Sequence, residues 1–147
     1  MNRDHFTLTA ASVIGDQQLA LTFADGQQLN VDLSEIIRRH PVLAPLANRG
    51  LFARIEVTNG GRSVMWNGDD MLELASDNLR ARAIEQTGEA SHETIWNWMH
   101  QHGLTLDAAA QALGLSRRML AYYRSGEKPV PRTVALAMLG WEVEQAA

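Results

Sequence analysis

Basic side chains gather in one short segment near the carboxyl end of this 147-residue chain. Between Thr105 and Arg132 there are five basic residues and two acidic ones, which gives the segment a net charge of +3. The basic residues are Arg117, Arg118, Arg124, Lys128 and Arg132. The planar guanidinium of arginine can donate two hydrogen bonds to O6 and N7 of a guanine, which lysine does less specifically. The segment therefore carries side chains suited to binding a nucleic acid.

The rest of the chain is acidic, and this excess does not exclude such a role. The whole sequence has a formal net charge of −4, and residues 1–87 hold 8 basic and 11 acidic side chains. Net charge describes a whole chain, whereas DNA contacts one face of a protein. The distribution is consistent with one basic, DNA-facing patch on an acidic protein.

Several other classes of protein are disfavoured by residue type and spacing. The chain has no cysteine, which excludes disulfides, thiolate zinc sites and cysteine nucleophiles. It has no nucleophile elbow, glycine-rich phosphate loop or H-E-x-x-H motif, so we expect neither enzymatic activity nor a cofactor. His100 and His102, with His92 nearby, face apart on a helix and predict no metal site. The acidic residues at 69, 70 and 73 predict a solvated turn, and the four tryptophans predict core or interdomain packing.

The composition also predicts where the protein works. Hydrophobic residues make up 46% and charged residues 20% of the chain, a balance that excludes disorder. The N-terminal residues lack the apolar core of a signal peptide, and no stretch approaches the roughly 18 apolar residues of a membrane span. We expect a cytoplasmic protein without a membrane partner.

Apolar residues alternate with polar ones up to about residue 75, which predicts strands. Strands 19–23 and 29–33 flank Asp25-Gly26, a typical hairpin turn, and Ser34 is predicted to cap a short helix over 35–39 that ends before Pro41. A second hairpin is predicted from strands 52–57 and 63–66, with a further short strand near 71–74. A helix capped by Ser76 is predicted to run to residue 87.

The hydrophobic period changes to about 3.6 after the small, polar residues 88–91. We therefore predict two domains: an α+β domain over 1–88, rich in β-hairpins with short helices, and an all-α domain over 89–147. Four helices are expected in the second domain. Thr105 and Ser116 are expected to cap the second and third of them, Gly114 and Gly126 to end them, and Pro131 to lie in the first turn of the fourth.

The twenty residues from Leu106 to Ser125 resemble the helix-turn-helix of the lambda-repressor-like (Cro/repressor) family. The motif needs apolar residues at its fourth and eighth positions, a small residue at its fifth and a turn residue at its ninth. These are Ala109, Leu113, Ala110 and Gly114 in this sequence, and the remaining core positions are filled by Leu115, Leu120 and Tyr123. Agreement over twenty positions is more specific than any single short motif.

The resemblance implies roles for the outward side chains. It places four residues of the third helix at the base edges of the major groove, namely Arg117, Arg118, Ala121 and Tyr122. It implies phosphate contacts for residues at helix ends and in the following loop, namely Thr105, Ser116, Arg124, Lys128 and Arg132. The first motif position, commonly a glutamine that grips the DNA backbone, is Leu106, which predicts weaker DNA binding or a protein-binding use of the motif.

The whole chain also resembles an uncharacterised bacterial family in which a small β-rich domain of unknown function precedes a lambda-repressor-like domain. The residues that carry this resemblance are 23–26, 41–46, 51–52 and 64–71. The sequence thus predicts a DNA-binding transcriptional regulator whose partner is double-stranded DNA. The alternative is an antitoxin-like interaction module that binds a partner protein through its first domain. A homodimer is expected, paired through the strand edges of the first domain.

Overall fold

Six strands pair into two antiparallel three-stranded sheets in the computed structural model, which describes residues 3–147. The first sheet has the order β1-β2-β3 and consists of β1 (Leu8–Gly15), β2 (Gln18–Phe23) and β3 (Gln28–Asp32). The second has the order β4-β5-β6 and consists of β4 (Ile55–Thr58), β5 (Ser63–Trp66) and β6 (Asp69–Ala75). With the helices described below, the fold is mixed α+β.

The chain divides into two units, of which the first ends at Gln86 and contains both sheets. Between residues 3 and 86 its α-helices are α1 (Ser34–Arg39), α2 (Arg49–Phe52) and α3 (Ser76–Gln86). Alternate residues of β2, namely Leu19, Leu21 and Phe23, are buried in one core, as the period-two pattern predicts. Val64 and Trp66 of β5 enter the same core. Both predicted hairpins are therefore confirmed.

Four details of this unit differ from the sequence-based predictions. Ser76 does not cap α3 but begins it, and the helix ends at Gln86. Strand β4 begins at Ile55 and not at residue 52, because Phe52 ends α2, a helix that Asn48 caps by accepting a hydrogen bond from the Leu51 amide. Ser34 does not cap α1 but begins it, and the Asp32 carboxylate accepts the Ser34 amide at 2.8 Å. Strand β1 was not predicted at all, since most of its residues are exposed and show no alternation.

Long-range polar contacts attach α3 to the first sheet. The Gln86 side chain accepts from the Asp32 amide at 2.9 Å and donates to the Asp32 carbonyl at 2.8 Å, so it occupies the free edge of β3 as a neighbouring strand would. Arg80 forms an ion pair with Asp25 at 3.0 Å and lies over the Phe23 ring. These contacts tie the first hairpin to the helix that ends the unit.

The second unit, Thr87–Ala147, contains four helices joined by turns and loops, and it has no strand. Its helices are α4 (His92–Gln101), α5 (Leu106–Leu113), α6 (Arg117–Ser125) and α7 (Arg132–Ala146). Thr105 and Ser116 accept amide hydrogen bonds as N-caps of α5 and α6, and Gly114 and Gly126 follow these helices with positive φ. The caps and stops predicted for α5 and α6 are confirmed, whereas Pro131 lies one residue before α7, at its N-cap position.

The core of the second unit collects the apolar face of each helix. Its buried residues are Ile95, Trp98, Met99, Ala109, Ala110, Leu120, Val134 and Met138. Leu139, the residue after Met138, is exposed. Within residues 3–147, no helix combines the length and apolar character needed to cross a membrane.

Candidate nucleic-acid interface

Helices α5 and α6 are joined by a turn of three residues, 114–116. Ala109 and Ala110 of α5 are buried, and their small side chains allow α6 to pack closely against α5. The Leu115 amide donates to the Ala110 carbonyl at 2.9 Å, and the left-handed Gly114 lets the chain turn away from the end of α5. Ser116 then starts α6 by accepting the Met119 amide at 3.1 Å. The turn and its caps fix where α6 begins.

Arg117 and Arg118 lie in the first turn of α6 and are exposed. The Nε of Arg117 is 3.4 Å from Oδ1 of Asp107, in the first turn of α5. Because both side chains are more than two thirds exposed, this ion pair contributes little to stability and can be exchanged for another anion. Arg117 is therefore available to a ligand.

Arg118 and Lys128 share one aromatic partner. The Nε of Arg118 donates a hydrogen bond to the Tyr122 hydroxyl at 2.9 Å. The ammonium of Lys128 lies 4.8 Å from the centre of the Tyr122 ring, and the Lys128 amide donates to the Tyr122 carbonyl at 3.3 Å. Tyr122 itself is half-buried, as is its neighbour Ala121. Arg118, Tyr122 and Lys128 form a group, which we call the Tyr122 cluster.

Arg124 has an aromatic partner of its own. Its guanidinium carbon lies 4.6 Å from the centre of the Trp96 ring, and Trp96 is 51% exposed on α4. Packing was predicted for all four tryptophans, and it is confirmed for the buried Trp66 and Trp98 and for Trp141, which contacts Trp98 edge to face. Trp96 does not pack in the core of its unit; its half-exposed ring lies beside the Arg124 guanidinium at the surface of that unit.

The remaining candidate residues lie at helix starts. Thr105 and Ser116 are exposed, and each hydroxyl serves as an N-cap. Arg132 is exposed at the first position of α7, and within residues 3–147 no hydrogen bond, ion pair or ring contact joins it to the other candidates. The structure thus brings Arg118, Tyr122 and Lys128 together but leaves Arg132 separate.

The sequence signals one of the two cation–aromatic pairs in this region but not the other. The pairing of Arg118 with Tyr122 follows helical spacing of four residues and could have been anticipated. The pairing of Arg124 with Trp96 joins α6 to α4 and carries no signal in the spacing. Trp96 is therefore a candidate residue that sequence reasoning missed.

The histidines and the acidic turn near residue 69 show no arrangement suited to binding a metal ion. His102 contacts Glu142, with 3.1 Å between Nε2 and Oε1, while His92 is buried and His100 is exposed. No group of three potential metal ligands occurs among residues 3–147. Asp69 accepts the Met71 amide at 2.9 Å within a turn, which is an ordinary structural use of the side chain.

Comparison with known proteins places the chain in a family. It is similar to the solved structure of the "Putative DNA Binding Protein NE0471" from Nitrosomonas europaea, with 44% sequence identity and a TM-score of 0.85. The match covers 92% of this chain and 86% of that one. No curated protein matches the chain. The family described as "Protein of unknown function (DUF2442)" matches residues 8–85, more than half of the sequence, and the chain therefore belongs to the DUF2442 family.

Proposed function

We propose that this protein is a sequence-specific DNA-binding transcriptional regulator. In this proposal α5 and α6 form a lambda-repressor-like helix-turn-helix, and α6 lies in the major groove. The observation that carries it is the position of Arg117 and Arg118, two exposed arginines in the first turn of a helix whose start is fixed by a tight, capped turn. Residues at the start of such a helix are the ones that reach base edges.

The charge distribution and the similar structure support the same function. The segment from Thr105 to Arg132 is basic in an otherwise acidic chain, and this places counterion-releasing charge where α6 would dock. The protein NE0471, whose printed name includes DNA binding, matches this chain over both of its units. Together these observations favour DNA over a protein as the ligand of α6.

The role proposed for each residue is the one that the resemblance to the lambda-repressor-like motif implies for its position. The residues proposed to contact bases are Arg117, Arg118, Ala121 and Tyr122. The residues proposed to contact phosphates are Thr105, Ser116, Arg124, Lys128 and Arg132. Leu106 is half-buried against the core of the second unit, so it supplies no polar group to the DNA backbone. We therefore expect an affinity below that of repressors with glutamine at this position.

Selection from a pool of random duplexes tests the function directly. The full chain should enrich one short motif in moderate salt, and fluorescence anisotropy should give tighter binding to that motif than to shuffled duplexes. Binding without any enrichment would reduce the role to non-specific DNA association. No binding at all would favour the alternative, an antitoxin-like module that uses its first unit to bind another protein.

We propose that the two units are separate domains, 1–88 and 89–147. Residues 87–89 are exposed and lie outside any helix or strand, so a glutamyl endopeptidase should cut the native chain first after Glu89. Two fragments of about 89 and 58 residues should then persist, as followed by mass spectrometry. The Glu89→Gln variant, in which this site is absent, is the matched control. Rapid loss of either fragment would contradict independent domains.

We propose further that the DNA-binding species is a homodimer paired through β1. One helix-turn-helix reads only a few base pairs, and two-fold pairing matches two half-sites about one helical turn apart. β1 is an edge strand without charge or proline, its stretch Ala10–Val13 is in regular register, and Val13 and Ile14 are exposed. Such an edge can pair with the same edge of a second copy.

Sedimentation at micromolar concentration tests this dimer. The wild type should sediment as a dimer and Ile14→Lys as a monomer, because a charge at the joining edge opposes pairing of identical strands. Val42→Lys, which replaces another exposed apolar residue of the same unit, should remain dimeric. A monomeric wild type would exclude the dimer, and a dimeric fragment beginning near Ser91 would move the interface to the helical unit.

A further inference from the structure

We infer that Tyr122 is a positioning residue, which holds Arg118 and Lys128 in place for DNA and does not itself read a base. The inference rests on the proposed function, within which it changes the role of Tyr122 and names how Arg118 is aimed. Its basis is the Tyr122 cluster, in which one phenol contacts two of the cations proposed to bind DNA.

The hydrogen bond to Tyr122 determines which N–H donors of Arg118 remain available to a ligand. A guanidinium has five N–H donors, one on Nε and four on the two terminal nitrogens. The Nε donor is taken by the Tyr122 hydroxyl at 2.9 Å, so the terminal nitrogens are left for a ligand. Bidentate donation to O6 and N7 of guanine needs two parallel donors, and the two terminal nitrogens supply them. Tyr122 therefore favours an end-on approach of Arg118 to a base.

The ring of Tyr122 acts on Lys128 in a different way. The Lys128 ammonium lies 4.8 Å from the ring centre, within the range of a cation–π contact. The loop that carries Lys128 is held as well, since its amide donates to the Tyr122 carbonyl. A long, exposed side chain loses much of its rotamer freedom when it binds, and a side chain already restrained loses less. The ring thus prepares a phosphate contact.

Tyr122 has little left to offer a base directly. Its hydroxyl oxygen accepts from Arg118 and keeps only a single O–H donor, its ring lies beside both Arg118 and Lys128, and the residue is half-buried. A base that stacked on this ring would have to displace one of the two cations. If Tyr122 keeps its contacts while Arg118 and Lys128 bind DNA, no cation has to be displaced.

A double-mutant cycle separates positioning from direct contact. Tyr122→Phe removes the hydroxyl but keeps the ring, and it should weaken binding to the selected duplex by about fivefold, the value of one hydrogen bond. In an Arg118→Ala background, where residue 118 has no donor for the Tyr122 hydroxyl, the same change should cost no more than about twofold. An equal loss in both backgrounds would overturn the inference and assign Tyr122 to a base contact.

The ring is tested by a second variant and a matched control. Tyr122→Leu should also free Lys128, and binding to shuffled duplexes should then fall by about threefold. Tyr122→Phe, which keeps the ring beside Lys128, should lower binding to shuffled duplexes less than Tyr122→Leu does. Tyr123→Phe removes a hydroxyl from the next residue, which packs against the core, and should leave both affinities unchanged. An effect of Tyr123→Phe as large as that of Tyr122→Phe would mean that the loss is structural.

Nuclear magnetic resonance tests the contact without DNA. The Nε proton of Arg118 should exchange with water more slowly in the wild type than in Tyr122→Phe, because only the wild type has an acceptor for it. Equal exchange in the two proteins would overturn the inference. If the wild type binds no duplex while the proton is protected, the contact stands, but the proposed function and the positioning role for DNA both fail. If the wild type binds and the cycle shows no coupling, only the positioning role fails.

Discussion

Replacing Arg118 by alanine should weaken binding to the selected duplex by roughly 1 to 3 kcal/mol, which is about 5- to 150-fold. The reason is that a bidentate contact to guanine is lost, while the phosphate contacts that carry non-specific affinity remain. Arg117→Ala should have an effect of similar size at a neighbouring base pair. Anisotropy titrations with the selected duplex, and with duplexes substituted at each position, measure both the loss and the position that becomes tolerant.

Lys128→Ala is the matched control for the two arginine variants. As a phosphate contact, Lys128 should contribute alike to every sequence, so its removal should weaken selected and shuffled duplexes equally. The slope of log affinity against log salt should fall by about 1 for this variant. Equal losses on both kinds of duplex in the Arg117 and Arg118 variants would instead make these residues phosphate contacts, and the base-reading residues would have to lie elsewhere.

The helical unit could be predicted closely because its signals are local. Thr105 and Ser116 bond to amides within their own first turns, and Gly114 and Gly126 relieve a strain that lies at a single residue. The apolar face of each helix is set by spacing along one element. Residue types alone therefore locate α5, α6 and the turn between them.

The sheets show where local signals are insufficient. β1 is a strand because it pairs with β2, and its exposed residues leave no alternation from which to recognise it. Phe52 continues an alternating pattern, yet the cap at Asn48 draws it into a helix. The contact between Gln86 and Asp32 joins residues 54 positions apart, which no pattern within one element can reveal. Partners fixed by tertiary structure must be observed.

The candidate site likewise has features that one helix determines and features that depend on tertiary packing. Its helix starts and exposed arginines follow from the sequence, because they depend on one helix and its caps. The support of Arg124 by Trp96 depends on how α4 packs beside α6, so the aromatic content of the chain predicts a buried role that Trp96 does not have. The sequence therefore predicts the basic side chains of the site. Of their two aromatic partners, it signals Tyr122 but not Trp96.

Trp66→Ala should lower the free energy of unfolding of the first unit by about 3 to 5 kcal/mol, the range for removing a large aromatic side chain from a core. Trp66 is fully buried, stacks on Phe52 with 5.5 Å between ring centres, and donates from its indole nitrogen to the Phe52 carbonyl at 2.9 Å. Trp96→Ala removes the same atoms from an exposed position, and should cost less than about 1 kcal/mol. Urea unfolding followed by far-ultraviolet circular dichroism compares the two.

Trp66→Phe separates the cavity from the hydrogen bond. Phenylalanine keeps a ring against Phe52 but cannot donate, so the buried Phe52 carbonyl loses its indole partner at a cost of about 1 to 3 kcal/mol. The expected order of stability is wild type, then Trp66→Phe, then Trp66→Ala, and exchange of the Val64 amide in the same buried strand should report it within the intact chain. If Trp66→Phe matched the wild type, packing alone would account for the stability that Trp66 provides. If Trp66→Ala cost no more than Trp96→Ala, the second sheet would not depend on this side chain, and the core described for the first unit would be wrong.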